Sequence, residues 1–112
     1  MPGFSCQQGD IFIWAIRSPH RAKLGDPLPR DEQRRIVLGG RRGSGHAHAI
    51  ADLDAEAFHL RDWRYGLILK VGRKGAMLVH EEHAPIRLPP GTYDVRRQCE
   101  FSARFRSVPS GD

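Results

Sequence analysis

Glycine and proline set the strongest constraint on this chain. Twelve glycines and eight prolines are spread through 112 residues instead of gathered in one linker. A chain punctuated in that way folds into short strands joined by turns, as small barrels and sandwiches do. The expectation is one mostly β domain over residues 1–112, a small antiparallel β-barrel or sandwich with few or no helices. Residues 1–9 and 103–112 carry no fold signal and are expected to fray.

Between the turns the apolar pattern marks the strands. Residues 10–17, DIFIWAIR, are rich in β-branched and aromatic side chains and predict a buried strand. Ser18 to Arg34 carries Pro19, Gly25, Pro27 and Pro29 among charges and reads as a long surface loop. RIVL at 35–38 predicts a second strand, broken by Gly39 and Gly40, and residues 46–51 alternate as a strand does. Residues 52–62 fit either a helix capped by Asp52, with Leu53, Ala57 and Leu60 at helical spacing, or a short turn followed by a strand through Phe58 and Leu60, and the second is the expectation. YGLILKV and AMLVH, joined by GRKG, predict a hairpin. PPGTYDVRRQCEF predicts a turn and a long strand with Tyr93, Val95, Arg97, Cys99 and Phe101 on one face. Arg97 on that face would need a carboxylate, such as Glu81 or Glu82, if buried.

Six histidines are present, and four of them fall in two tight groups. His46 and His48, at i and i+2 on a strand, share a face with backbones about 7 Å apart, close enough to converge on one ion at about 2.1 Å. His80 and His83 flank Glu81 and Glu82, and they serve one site only if the chain turns between them, as Pro85 makes plausible. Imidazole suits zinc, nickel, copper and iron alike, so the implied cofactor is a divalent transition metal of unspecified identity. If the protein is an enzyme, Glu81 or Glu82 is the candidate proton acceptor beside the ion. The ordinary roles of such residues, surface histidines and glutamates paired with arginines, account for the same pattern without a site.

A formal charge of +5 and a pI near 9.9 favour acidic partners. The basic residues come in pairs, and Arg41, Arg42, Arg73, Lys74, Arg96 and Arg97 are the candidates for phosphate contact in a rival reading as an RNA-binding or other nucleic-acid-binding module. Trp63 and Tyr65 would be its stacking pair, Trp14 and Tyr93 being expected in the core. A third reading makes the protein a subunit of a ribonucleoprotein or protein assembly that docks through its basic loops. Cys6 and Cys99 are too few and too far apart for a disulfide framework or a zinc knuckle. No apolar run approaches the roughly 18 residues that span a bilayer, and the first ten residues lack signal-peptide character, so a cytoplasmic location without membrane contact is expected.

Two resemblances follow from these stretches. Gly40 with His46, Ala47 and His48 resembles the first motif of cupins, small metal-binding β-barrels, with Asp52 where cupins place a glutamate ligand. Pro89, Pro90 and Gly91 resemble the second motif, with Asp94 in place of its histidine and Gln98 in place of its asparagine. The resemblance implies that His46, His48, Asp52 and Asp94 bind the ion, with His80 or His83 substituting for one of them. More of the chain is covered by a second resemblance: QGD, GHAHAI, HEEHAPI, LPPGTYDV and RRQ are similar to a family of small uncharacterised bacterial proteins. It implies no activity, but it does imply that both histidine groups and the Pro-Pro-Gly turn belong to one design.

Overall fold

The structure, a computed structural model, describes residues 3–17, 23–40, 46–61 and 66–97. Arg41, Arg42, Trp63, Tyr65, Gln98, Cys99 and Phe101 lie outside the described residues. The described residues hold ten strands and no α-helix. In chain order these are β1 (Ser5–Gln8), β2 (Ile11–Ile16), β3 (Leu24–Pro27), β4 (Ile36–Gly40), β5 (Ala47–Ile50), β6 (Ala55–Leu60), β7 (Leu67–Val71), β8 (Ala76–His80), β9 (His83–Leu88) and β10 (Gly91–Arg97). They form a six-stranded sheet in the order β1-β2-β10-β7-β6-β3 and a four-stranded sheet in the order β4-β5-β8-β9, with every pairing antiparallel. The architecture is a sandwich of two sheets and not a closed barrel.

Alternation builds the core. Ile11 and Ile13 of β2, Leu69 of β7 and Tyr93 and Val95 of β10 turn inward from the larger sheet. Ile36, Ile50, Leu78 and Leu88 meet them from the smaller one, all at 2% exposure or less. Each such side chain contributes about 1.5–3 kcal/mol when fully buried. Tyr93 keeps its hydroxyl satisfied by donating to the Pro89 carbonyl, which ties the Pro-Pro-Gly crossing to the strand that follows it.

Several expectations are corrected. The predicted hairpin of YGLILKV and AMLVH is a crossing between sheets, because β7 pairs with β6 and β10 whereas β8 pairs with β5 and β9. Both strands carry apolar inner faces, and separating them into two layers lets those faces bury each other. The crossing is held by its neighbour: Gly72 N–H donates to the Asp54 carbonyl at 3.0 Å, and Met77 N–H donates to Asp52 Oδ1 at 3.0 Å. The stretch predicted as one long loop contains β3, which joins the sheet edge beside β6 despite its glycine and proline. A proline at the end of an edge strand leaves no paired amide missing. Residues 5–8, expected to fray, form β1 against β2, with Cys6 half-buried against the core. Trp14 faces away from the core and is only partly buried, with the Arg96 guanidinium 5.9 Å from its ring centre.

Candidate functional site

Strand register brings the two histidine groups together. Ile50 pairs with Leu78 and Ala49 with Val79, so continuing the ladder sets His48 beside His80. Glu81 and Glu82 then make a tight turn, after which His83 pairs with His80 across the β8–β9 hairpin. The turn that reunites these two histidines is therefore Glu81–Glu82. Pro85 lies inside β9, an edge strand, where its missing N–H costs no pairing.

The result is a row of imidazoles across three neighbouring strands at one end of the sandwich. Ring centres lie 4.3 Å apart for His48 and His80, 4.6 Å for His80 and His83, and 5.8 Å for His48 and His83. His46 stands at the rim, 5.7 Å from His80, with Nδ1 3.6 Å from Glu82 Oε1. Exposure runs from 3% at His48 to an open surface at His83.

The opposite sheet closes this end with the β1–β2 turn. Gln8 is buried, and its Nε2 donates to the carbonyls of Leu78 at 3.2 Å and Ala84 at 2.9 Å. With the amide nitrogen committed to two acceptors, its oxygen faces His48 Nδ1 at 2.9 Å and must receive a hydrogen from it. Gly9 has φ +58°, and a Cβ there would stand 2.8 Å from His83 Nε2 and 3.0 Å from His48 Cε1. Glycine thus meets both the backbone geometry and the closeness of the rings. Asp10 Oδ1 lies 3.3 Å from His48 Nε2, and Asp10 Oδ2 lies 4.0 Å from Arg97 Nε. Asp10 is therefore the carboxylate that accompanies Arg97, in place of the Glu81 or Glu82 expected for it.

Electrostatics follow from this enclosure. Burial, reinforced by the neighbouring His80, holds the His48 pKa below the usual imidazole value, although Asp10 pulls the other way. Glu81 accepts the Ala47 N–H at 2.9 Å, and that bond holds its carboxyl below the ordinary range. Its contact ties the hairpin turn to the start of β5.

The remaining candidates sit elsewhere. Asp52 accepts the Met77 N–H at the far end of β8 from His80. Asp94 lies between inward-facing Tyr93 and Val95, so it faces out of the sandwich, where it pairs with Arg96. Neither is brought to the imidazoles. Arg73 and Lys74 occupy the β7–β8 crossing, near the Gly91 end of β10, while Arg97 ends that strand beside Ile11. The described basic candidates are thus divided between opposite ends of the larger sheet. Among the described residues no group of three or more His, Cys, Asp or Glu is placed so that it could hold a metal ion.

Residues 7–98 match the model of the family described as domain of unknown function DUF8820. The chain belongs to that family. The matched DUF8820 region takes in Gln8, Gly9, Asp10 and all four clustered histidines. No curated protein and no solved structure matches the chain. Among the described residues no helix is long and apolar enough to cross a membrane.

Proposed function

We propose that the histidine end of the DUF8820 sandwich binds one divalent transition-metal ion through His48 Nε2, Asp10 and His83. One observation carries this reading: the Nε2 of His48 faces Asp10 Oδ1 at 3.3 Å while its Nδ1 gives its hydrogen to Gln8. In a neutral His48 that places a lone pair against a carboxylate oxygen, and a cation between them relieves the repulsion. The lowered His48 pKa disfavours a proton in that role at neutral pH. Two ligands each about 2.0–2.1 Å from a tetrahedral ion stand roughly 3.3–3.4 Å apart, the separation of this pair.

The second-sphere chemistry supports the same reading. Ligating histidines give their other ring hydrogen to a fixed acceptor, the part taken by Gln8. His83 is exposed and has its Nε2 close over Gly9, so it can swing onto an ion held by the other two. Three protein ligands would leave one position open, as in catalytic centres. Glu81, bound to the Ala47 amide and kept ionised, is better suited to fixing the turn than to accepting protons.

Calorimetric titration with zinc, nickel and cobalt at pH 7.5 tests the proposal. One equivalent should bind, and Asp10→Asn and His48→Ala should each weaken it by more than the roughly 10–100-fold that loss of an outer partner costs. Absence of saturable binding, or variants that bind like the wild type, would remove it.

A further inference from the structure

The sheet edges of the sandwich are not equally protected. An edge strand presents unpaired N–H and C=O groups to any other strand, and proteins blunt it with prolines, charges or bulges. β3 carries Asp26 and Pro27 and pairs irregularly with β6. β4 shifts register against β5 between Val37 and Gly39. β9 carries Pro85 and Arg87, pairs irregularly with β8, and has its Ala84 carbonyl occupied by Gln8. β1 has none of these devices: Ser5–Gln8 reads SCQQ and runs in unbroken register with β2.

The groups that β1 leaves open follow from its register. The Phe4 carbonyl accepts the Ala15 N–H at 2.8 Å, and bonded pairs alternate along an antiparallel ladder. Phe4, Cys6 and Gln8 therefore bond to β2, while the N–H and C=O groups of Ser5 and Gln7 point to the free side. Both residues are exposed. Residues 3–9, GFSCQQG, hold no charged side chain in a chain of formal charge +5, so two copies meet with least repulsion at this edge. Antiparallel pairing there is also self-complementary. With Cys6 on a two-fold axis, the open groups of Ser5 face those of Gln7 in the second copy, donor to acceptor, on both sides of the axis. On the outer side of β1 and β2 lies a groove of about 470 Å³ lined by Ser5, Cys6, Gln7, Phe12, Ile13 and Trp14. The same register sets Gln7 of the second copy beside Ser5, at the rim of that groove.

We propose that β1 is a dimerisation edge, through which two copies of this chain pair antiparallel over Ser5–Gln7 and join their six-stranded sheets into one. The pairing does not depend on an ion at the histidine end. Light scattering of the metal-free protein over a concentration series should show a monomer passing to a dimer. Ser5→Pro removes an N–H that bonds nothing within the chain, and Ser5→Lys adds charge at an exposed position, so both variants keep the fold. Each should weaken the dimer by about tenfold or more, Ser5→Pro through the loss of two symmetry-related hydrogen bonds. Amide exchange at the concentration of an NMR sample locates the contact. The Gln7 amide should be protected in the wild type and exchange freely in both variants, whereas the Cys6 amide, bonded to β2, stays protected in all three. A wild type that remains monomeric at that concentration overturns the proposal and leaves the edge to a strand from another protein. A dimer that both variants retain, or one whose Gln7 amide exchanges freely, places the interface elsewhere and overturns it too.

Discussion

Replacing Gly9 by alanine should damage the site more than it damages the fold. The left-handed backbone at φ +58° costs a residue with a Cβ roughly 1–2 kcal/mol, partly offset by about 0.4–1 kcal/mol from the stiffer unfolded chain. The new methyl would stand 2.8 Å from His83 Nε2 and 3.0 Å from His48 Cε1. His83 is exposed and can swing away, whereas His48 is buried and anchored by Gln8, so pushing it off its rotamer adds about 0.5–1.5 kcal/mol. Urea unfolding should therefore show a loss of roughly 0.5–3 kcal/mol. Gly75→Ala supplies the comparison, with φ +74° and a Cβ 3.0 Å from the Leu88 carbonyl at the other end of the sandwich. It should lose comparable stability and leave zinc affinity intact, while Gly9→Ala should lose zinc affinity as well. Equal zinc affinity in the two variants would refute the reasoning that Gly9 makes room for the imidazoles.

The pH dependence of stability has a definite sign. His48 is held neutral in the fold by a lowered pKa, so the unfolded chain binds the proton more readily. This residue leaves stability unchanged above about pH 6.5 and lowers it as the pH falls further, by at most ~1.4 kcal/mol per pH unit. Urea midpoints between pH 5 and 7.5 should lose part of that slope in His48→Gln, and an identical slope would contradict the assignment. Asp52→Ala removes the acceptor of the Met77 amide and should cost about 1 kcal/mol in thermal or urea unfolding without altering zinc binding. Tyr93→Phe, which deletes the bond to the Pro89 carbonyl, should cost a similar ~1 kcal/mol, and an unaffected midpoint would show that the Pro-Pro-Gly crossing is held by other contacts.

Local pattern made the strands legible and left their partners obscure. The alternation around Tyr93 and Val95 reports directly on which side chains turn inward, and β10 follows it, whereas the unbroken apolar run DIFIWAIR marks β2 without showing that Trp14 turns outward. The GRKG turn shows where the pattern ends: glycines mark a reversal of direction, but nothing in four residues says whether the chain returns within one sheet or passes to the other. In the fold the crossing is met by Asp52 and Asp54, which lie 25 and 20 residues before the Met77 and Lys74 amides that they accept. The histidine groups were visible because imidazoles are few and closely spaced. Gln8 and Asp10 were not, since a glutamine before a Gly-Asp turn is ordinary until a partner forty positions on is placed beside it. The signals available were the QGD stretch among the motifs shared with the family and Gly9 itself, a glycine immediately ahead of a strand and beside an acid, whose positive φ and lack of Cβ now have a use. Asp52 and Asp94 were drawn in by their positions in a cupin-like pattern, whereas the fold gives one to a turn and the other to Arg96.

The central claim is that His48, His83 and Asp10 enclose one ion. Anomalous X-ray scattering from crystals grown with zinc, collected at and below the zinc edge, locates that ion directly. The account predicts a single peak within about 2.0–2.2 Å of His48 Nε2 and of an Asp10 oxygen, with His83 turned toward it. A peak coordinated by other residues, or none at all from protein saturated with zinc, would contradict it.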